Sequence, residues 1–140
     1  MIVVLDTNAL IRIFGRTSPF AAIRDALRDG HLKMAVSTPI LLEYEEVVVR
    51  YADSSRWEDL WRFLTLIDLL HGNVNRIGAD YRFHTITGDT DDDAFADCAI
   101  AVGADYVITS DHHFDRLAGS GYKPQPITPE EFIRRYPSGC

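Results

Sequence analysis

Two short apolar runs, Ile2-Val3-Val4-Leu5 near the start of the chain and Tyr106-Val107-Ile108-Thr109 toward its end, each run into an aspartate. The first meets Asp6 at once, the second meets Ser110-Asp111, and a helix-like segment follows each. Continuous β-branched runs mark strands covered on both faces, since a strand with one wet face alternates apolar and polar residues. A third run, Lys33 to Ser37, leads through Thr38 and Pro39 into a helix whose start carries a hydroxyl cap and a first-turn proline. From Ile40 the apolar residues at 41, 44, 47, 48 and 51 form a helical stripe, and Ser54 to Leu70 gives a second amphipathic stretch. Gly103 closes a further helix ahead of the Tyr106 strand. Strands and helices alternating in this way predict an α/β fold, a mainly parallel sheet with helices on both faces. Residues 71 to 90 carry no readable pattern. Nothing marks a linker or a repeat, so a single domain over 1–140 is expected.

Composition narrows the function classes. The 140 residues carry 21 Asp+Glu against 14 Lys+Arg, a formal net charge of −7, which argues against holding nucleic acid through a broad basic surface. Only Lys33 and Lys123 are lysines, and the remaining positive residues are arginines, which favour planar, bidentate contacts. Cys98 and Cys140 are too few for a secreted disulfide framework. The chain lacks the basic and apolar regions of a signal peptide, and no stretch reaches the roughly 18 to 20 apolar residues that cross a bilayer. A soluble, cytoplasmic protein is the expectation.

In open parallel sheets, ligands bind beyond the carboxyl ends of the strands. Asp6 and Asp111 fall there, although each also reads as an ordinary helix N-cap. Asp93 and Asp97 say more. They stand one turn apart in Asp93-Ala94-Phe95-Ala96-Asp97-Cys98-Ala99-Ile100-Ala101-Val102, a segment apolar on its other positions, so no solvated face is available to them. Buried carboxylates need a cation, strong hydrogen bonds or a proton. Helix-dipole placement accounts for Asp93 but not for Asp97, which lies more than a turn in. In the helix after Pro39, Glu46 points away from the apolar stripe, while Glu43 and Glu45 lie on its edges; Glu43, nearer the helix start, is favoured by position. Carboxylates from four segments would repel unless a cation joined them, and hard oxygen donors select Mg²⁺ or Mn²⁺. Such ions activate water and neutralise a phosphoryl group, so phosphodiester hydrolysis suits these residues. At most one of His112 and His113 would reach the site. Arg12 and Arg16, one turn apart, follow the Asp6 motif closely enough to meet phosphates, although solvated helix arginines look the same in sequence.

The chain resembles the PIN-domain family of metal-dependent ribonucleases, in the branch of toxins from toxin-antitoxin pairs. The resemblance rests on Ile2-Val3-Val4-Leu5-Asp6-Thr7-Asn8-Ala9-Leu10-Ile11, on Ser37-Thr38-Pro39-Ile40-Leu41-Leu42-Glu43-Tyr44-Glu45-Glu46-Val47, on Asp91-Asp92-Asp93-Ala94-Phe95-Ala96-Asp97-Cys98-Ala99 and on Ala104-Asp105-Tyr106-Val107-Ile108-Thr109-Ser110-Asp111, in that order. It implies a three-layer α/β/α sandwich, with Asp6, Asp93, Asp97 and Asp111 holding Mg²⁺ or Mn²⁺ and with Glu43 as the acidic residue of the second motif, ligating or orienting water. It implies Thr7, Asn8 and Ser110 as hydrogen-bonding supports around those acids. The partners implied are an RNA substrate and an antitoxin covering the cleft; a homo-oligomer is left open, and no membrane is expected. Where relatives often carry a further acid, this chain has His112-His113 before Asp115. Two other readings stay in view: a catalytically silent RNA- or partner-binding module, and an aspartyl-phosphate phosphohydrolase, for which Asn8 stands where a second aspartate is needed.

Overall fold

A computed structural model describes residues 1–15, 17–78 and 90–137, with the side chains of 90–93 outside the description. Its elements are β1 (Ile2–Leu5), α1 (Thr7–Ile13), α2 (Ala21–Arg28), β2 (Lys33–Ser37), α3 (Thr38–Tyr51), α4 (Ser54–His71), β3 (Val74–Ile77), α5 (Thr90–Val102), β4 (Tyr106–Ile108), a 3-10 helix (His112–Leu117), β5 (Gln125–Ile127) and α6 (Pro129–Arg135). The strands form one five-stranded sheet in the order β3-β2-β1-β4-β5. Every pairing is parallel, so the expected mainly parallel sheet is wholly so.

The order follows from the sequence runs. β1 and β2, whose interiors are fully buried, take the middle, and the apolar run of β4 pairs with β1 from Val3↔Tyr106 to Leu5↔Ile108. α5, which leads back from β3 to β4, crosses the sheet and packs against β1, β2 and β4, and it also meets α3. The chain leaves β1 toward β2 on one side and returns through β4 on the other. That reversal opens a crevice above the carboxyl ends of β1 and β4.

Two strands escaped the sequence reading. Val74-Asn75-Arg76-Ile77 lies within the unreadable 71–90 stretch and forms an edge strand, half-buried or exposed throughout, so it carries no apolar run. Gln125-Pro126-Ile127 is the opposite edge, short and holding a proline that an interior strand would reject. The cap of α3 is Ser37 rather than Thr38: its Oγ accepts from Ile40 N at 3.4 Å, and Pro39 stays within the first turn. Gly103, with φ 64°, ends α5 as its sequence position predicts.

Asn73 ties the edge strand to the rest of the sheet. It is 1% exposed, and its Nδ2 donates to the carbonyls of Leu27 (2.8 Å) and Leu32 (3.1 Å), joining the end of α2 to the α4–β3 junction. Removing a buried donor leaves its acceptors unsatisfied, at a cost of about 1–3 kcal/mol. Asn73→Ala should therefore lower the free energy of urea unfolding by that amount, with the parallel sheet retained by circular dichroism.

Candidate active site

Asp6 follows β1 directly and caps α1, its Oδ1 accepting from Ala9 N at 2.7 Å. It is 6% exposed, and its Oδ2 accepts a hydrogen bond from the Thr109 hydroxyl. Burial pushes the Asp6 carboxyl above its ordinary titration range. Donation from Thr109 and Ala9 and the charge of Arg12 work against that push, while the negative charge of Asp111 adds to it.

Glu43 comes from α3. Its Oε2 accepts from the Thr7 hydroxyl at 2.5 Å, so the first residue of α1 holds the acid of the second motif. The next residue fixes that helix against the sheet: Tyr44 is fully buried, and its hydroxyl donates to the Leu5 carbonyl at 2.5 Å. Glu45 and Glu46 are both exposed, and Glu46 pairs with Arg50 at 2.5 Å. Glu43 lines the cleft described below together with the Glu46–Arg50 pair, whereas Glu45 lines a separate groove beside Trp57 and Trp61.

Asp111 follows β4 and caps the 3-10 helix, with Oδ1 accepting from His113 N at 2.9 Å. The two histidines diverge. His113 Nδ1 lies 3.4 Å from Asp111, whereas His112 turns to Asp115 at 3.2 Å. Only His113 is therefore near the acids.

A cleft of about 300 Å³ brings Asp6, Thr7, Asn8, Glu43 and Asp111 together, with Val47, Tyr51 and Phe95 among its walls. Asp97 is buried on α5, two residues beyond Phe95, and is not among the lining residues. The side chain of Asp93 and the whole of Arg16 lie outside the described residues. Among the described residues, no three acidic, histidine or cysteine side chains converge closely enough to hold a metal ion by themselves. The donor chemistry nevertheless suits a hard divalent cation: the acids offer oxygens, and the Asp6 carboxylate is buried beside a second negative charge.

The expected supports divide. Thr7 holds Glu43, and Asn8 lines the cleft in an exposed position. Ser110 instead turns outward and accepts from Arg12 Nη1 at 3.0 Å. Arg12 also pairs with Glu130 of α6 at 2.7 Å and stacks over Phe20, its guanidinium carbon 4.5 Å from the ring centre. Sequence reasoning passed over Thr109, the neighbour of Ser110. Its Oγ1 donates to Asp6 and accepts from Asp111 N at 2.9 Å. Side chains alternate in an extended segment, so of two consecutive hydroxyls at a strand end one turns inward, and Thr109 is that one. Tyr44 and Glu130 were passed over too, since their contacts cross from one segment to another.

A family model of the PIN domain matches residues 2–113. Among solved structures, the chain is similar to VapBC2 from Rickettsia felis, crystallised with a DNA fragment from the promoter, with a TM-score of 0.56 at 18% identity, covering 90% of this chain and 98% of that one. It is also similar to VapBC-1 from nontypeable Haemophilus influenzae, with a TM-score of 0.54 at 19% identity, covering 93% of this chain and 99% of that one. At such identities the likeness is one of fold. No curated protein matches by sequence. With its all-parallel sheet, its acids at the carboxyl ends of β1 and β4 and a family match over most of its length, this chain belongs to the PIN-domain family.

Proposed function

We propose that this chain is a Mg²⁺- or Mn²⁺-dependent endoribonuclease, the toxin of a toxin-antitoxin pair. The observation that carries the reading is the meeting of Asp6, Glu43 and Asp111, from three separate segments, in one cleft. Membership of the PIN-domain family and likeness in fold to two VapBC structures support it.

In this reading Asp6, Asp93, Asp97 and Asp111 hold the cation, Asp93 by its place one turn before Asp97 on α5. When bound, the ion supplies neutralisation of a phosphoryl oxygen and activation of water. Glu43, oriented by Thr7, takes the proton of the attacking water. Arg12, held by Ser110 over Phe20, grips a phosphate at the edge of the site. A hard, negatively charged cleft on a chain of net charge −7 leaves the attraction for RNA to the cation and to a few arginines. The antitoxin has a place to dock: an apolar groove lined by Leu10, Phe14, Val48, Leu60 and Phe63 runs up to Tyr51, which also walls the acidic cleft. A partner with apolar anchors and a basic tip matches that pairing of surfaces. No described helix is long and apolar enough to cross a membrane.

Cleavage of a varied RNA pool with and without Mn²⁺ tests the activity. Wild type should cut only with the metal. Asp6→Asn and Asp111→Asn should each lose more than the roughly 100-fold that marks removal of an outer-shell partner of a metal. Cleavage that survives chelation, or that both variants retain, would overturn the reading. Arg12→Ala should leave the cleavage step intact, weaken RNA binding, and make the dependence of log K on log salt shallower by about 0.7, the value of one single-strand phosphate contact.

The Asp6 titration gives a separate expectation. A carboxyl whose folded pKa is raised binds its proton more tightly when folded, so its contribution to stability is present in acid and lost as pH rises through the folded pKa. In metal-free buffer at pH 7, Asp6→Asn should thus melt at a higher temperature than wild type. The gap should close as pH falls toward the ordinary carboxylate range. Adding Mn²⁺ should raise the wild-type melting temperature, and that of the variant less, because a ligand stabilises only the state that binds it.

A further inference from the structure

Thr109 is 3% exposed, and its one hydroxyl serves two residues far apart in the sequence, Asp6 and Asp111. Its proton goes to Asp6 Oδ2, while its oxygen accepts the backbone N–H of Asp111 at 2.9 Å. The backbone beneath it is pinned on both sides of β4: Thr109 N donates to the Ile127 carbonyl at 2.8 Å, and Asp6 N donates to the Ile108 carbonyl at 3.2 Å. A β-branched side chain on such a backbone has little χ1 freedom, so the hydroxyl is held where it is needed before any ligand arrives. The other oxygen of Asp6 is engaged by the start of α1, through Ala9 N at 2.7 Å. Two donors from different elements therefore fix the plane of this carboxylate. Each of its oxygens keeps further acceptor capacity, as an ionised carboxylate offers about four lone-pair sites.

We propose that Thr109 is a positioning residue that locks the Asp6 carboxylate to the Asp111 loop and thereby sets how tightly the cleft holds a divalent cation. The proposal rests on the cation-dependent reading above. Without the hydroxyl, Asp6 keeps only the helix-cap contact and is able to swing about its side-chain bonds, and the N–H of Asp111 loses its partner. Two ligands that were spaced by one oxygen atom become independent. Ordering them is then left to the cation, and affinity falls.

The test compares wild type with Thr109→Val, which keeps the shape and removes the hydroxyl, and with Thr109→Ser, which keeps the hydroxyl and removes the methyl. The readouts are the metal-free crystal structure of the valine variant and Mn²⁺ titration calorimetry on all three proteins, with thermal unfolding to establish that each is folded. The Asp6 carboxylate should be turned away from its wild-type place in the valine variant. Its Mn²⁺ affinity should fall about 10- to 100-fold, the usual effect of removing an outer-shell partner, and serine should restore it to within a few-fold of wild type. A merely structural threonine would change the melting temperature and leave Mn²⁺ affinity unchanged. The proposal is overturned by an unmoved Asp6 in the valine variant, by unchanged affinity in that variant, or by a serine variant as weak as the valine one. A wild type that takes up no Mn²⁺ overturns the cation reading instead, and the position of Asp6 in the metal-free valine variant then decides whether Thr109 positions it. Should the valine variant fail to fold, Thr109→Ala carries the same outcomes.

Discussion

The buried carboxylate of Asp6 is where the fold and the site depend on each other. It follows the central strand, caps the first helix and takes a hydrogen bond from Thr109, and it is itself only 6% exposed to solvent. As a cap it orders α1. As a buried anion beside Asp111 it is held at an energetic disadvantage, which a neutral residue would avoid. A chain under pressure only to fold would have little reason to keep an acid there. An acid in such a place is what one expects of a group positioned for binding, where local stability is given up in exchange for a poised charge.

The strand order turns that one residue into a site. Because β1 lies between β2 and β4, the loops leaving β1 and β4 part in opposite directions and leave a crevice, and the acids that follow those strands face it together. α3 completes the wall through one internal contact, the Tyr44 hydroxyl on the Leu5 carbonyl, which sets the helix rotation that carries Glu43 toward Thr7. The segment beyond the family match also takes part: β5 pairs with β4 and accepts from Thr109 N just beyond it, and α6 sends Glu130 to Arg12. That a fold so close in outline is shared at 18–19% identity fits this division, since a sheet order tolerates extensive substitution while a cleft depends on a few side chains.

Much of the architecture was legible in the residues. The runs of β1, β2 and β4 announced buried parallel strands, and the stripe after Pro39 announced α3, because burial on both faces forces an unbroken apolar pattern that composition alone would not produce. The edge strands gave no such signal: β3 is half wet and β5 is three residues long, so their pairing is a consequence of neighbours already in place. The resemblance implies Ser110 as a support for the acids, whereas its hydroxyl accepts from Arg12, and Thr109, one residue earlier, faces Asp6. Both carry hydroxyls, and their sequence position alone does not say which is turned inward.

The sequence by itself determined which segments become buried strands and helices and which acidic side chains stand at their ends, since hydrophobic periodicity and capping act over a few residues at a time. The tertiary structure alone decided that Thr7 serves Glu43, that Thr109 joins Asp6 to the Asp111 loop, that His113 rather than His112 lies beside the acids, and that Arg12 is shared by Ser110 and Glu130. Those contacts join residues far apart along the chain or depend on which way a single side chain rotates. Both are fixed only when the sheet closes around β1 and the strand ends are brought into register.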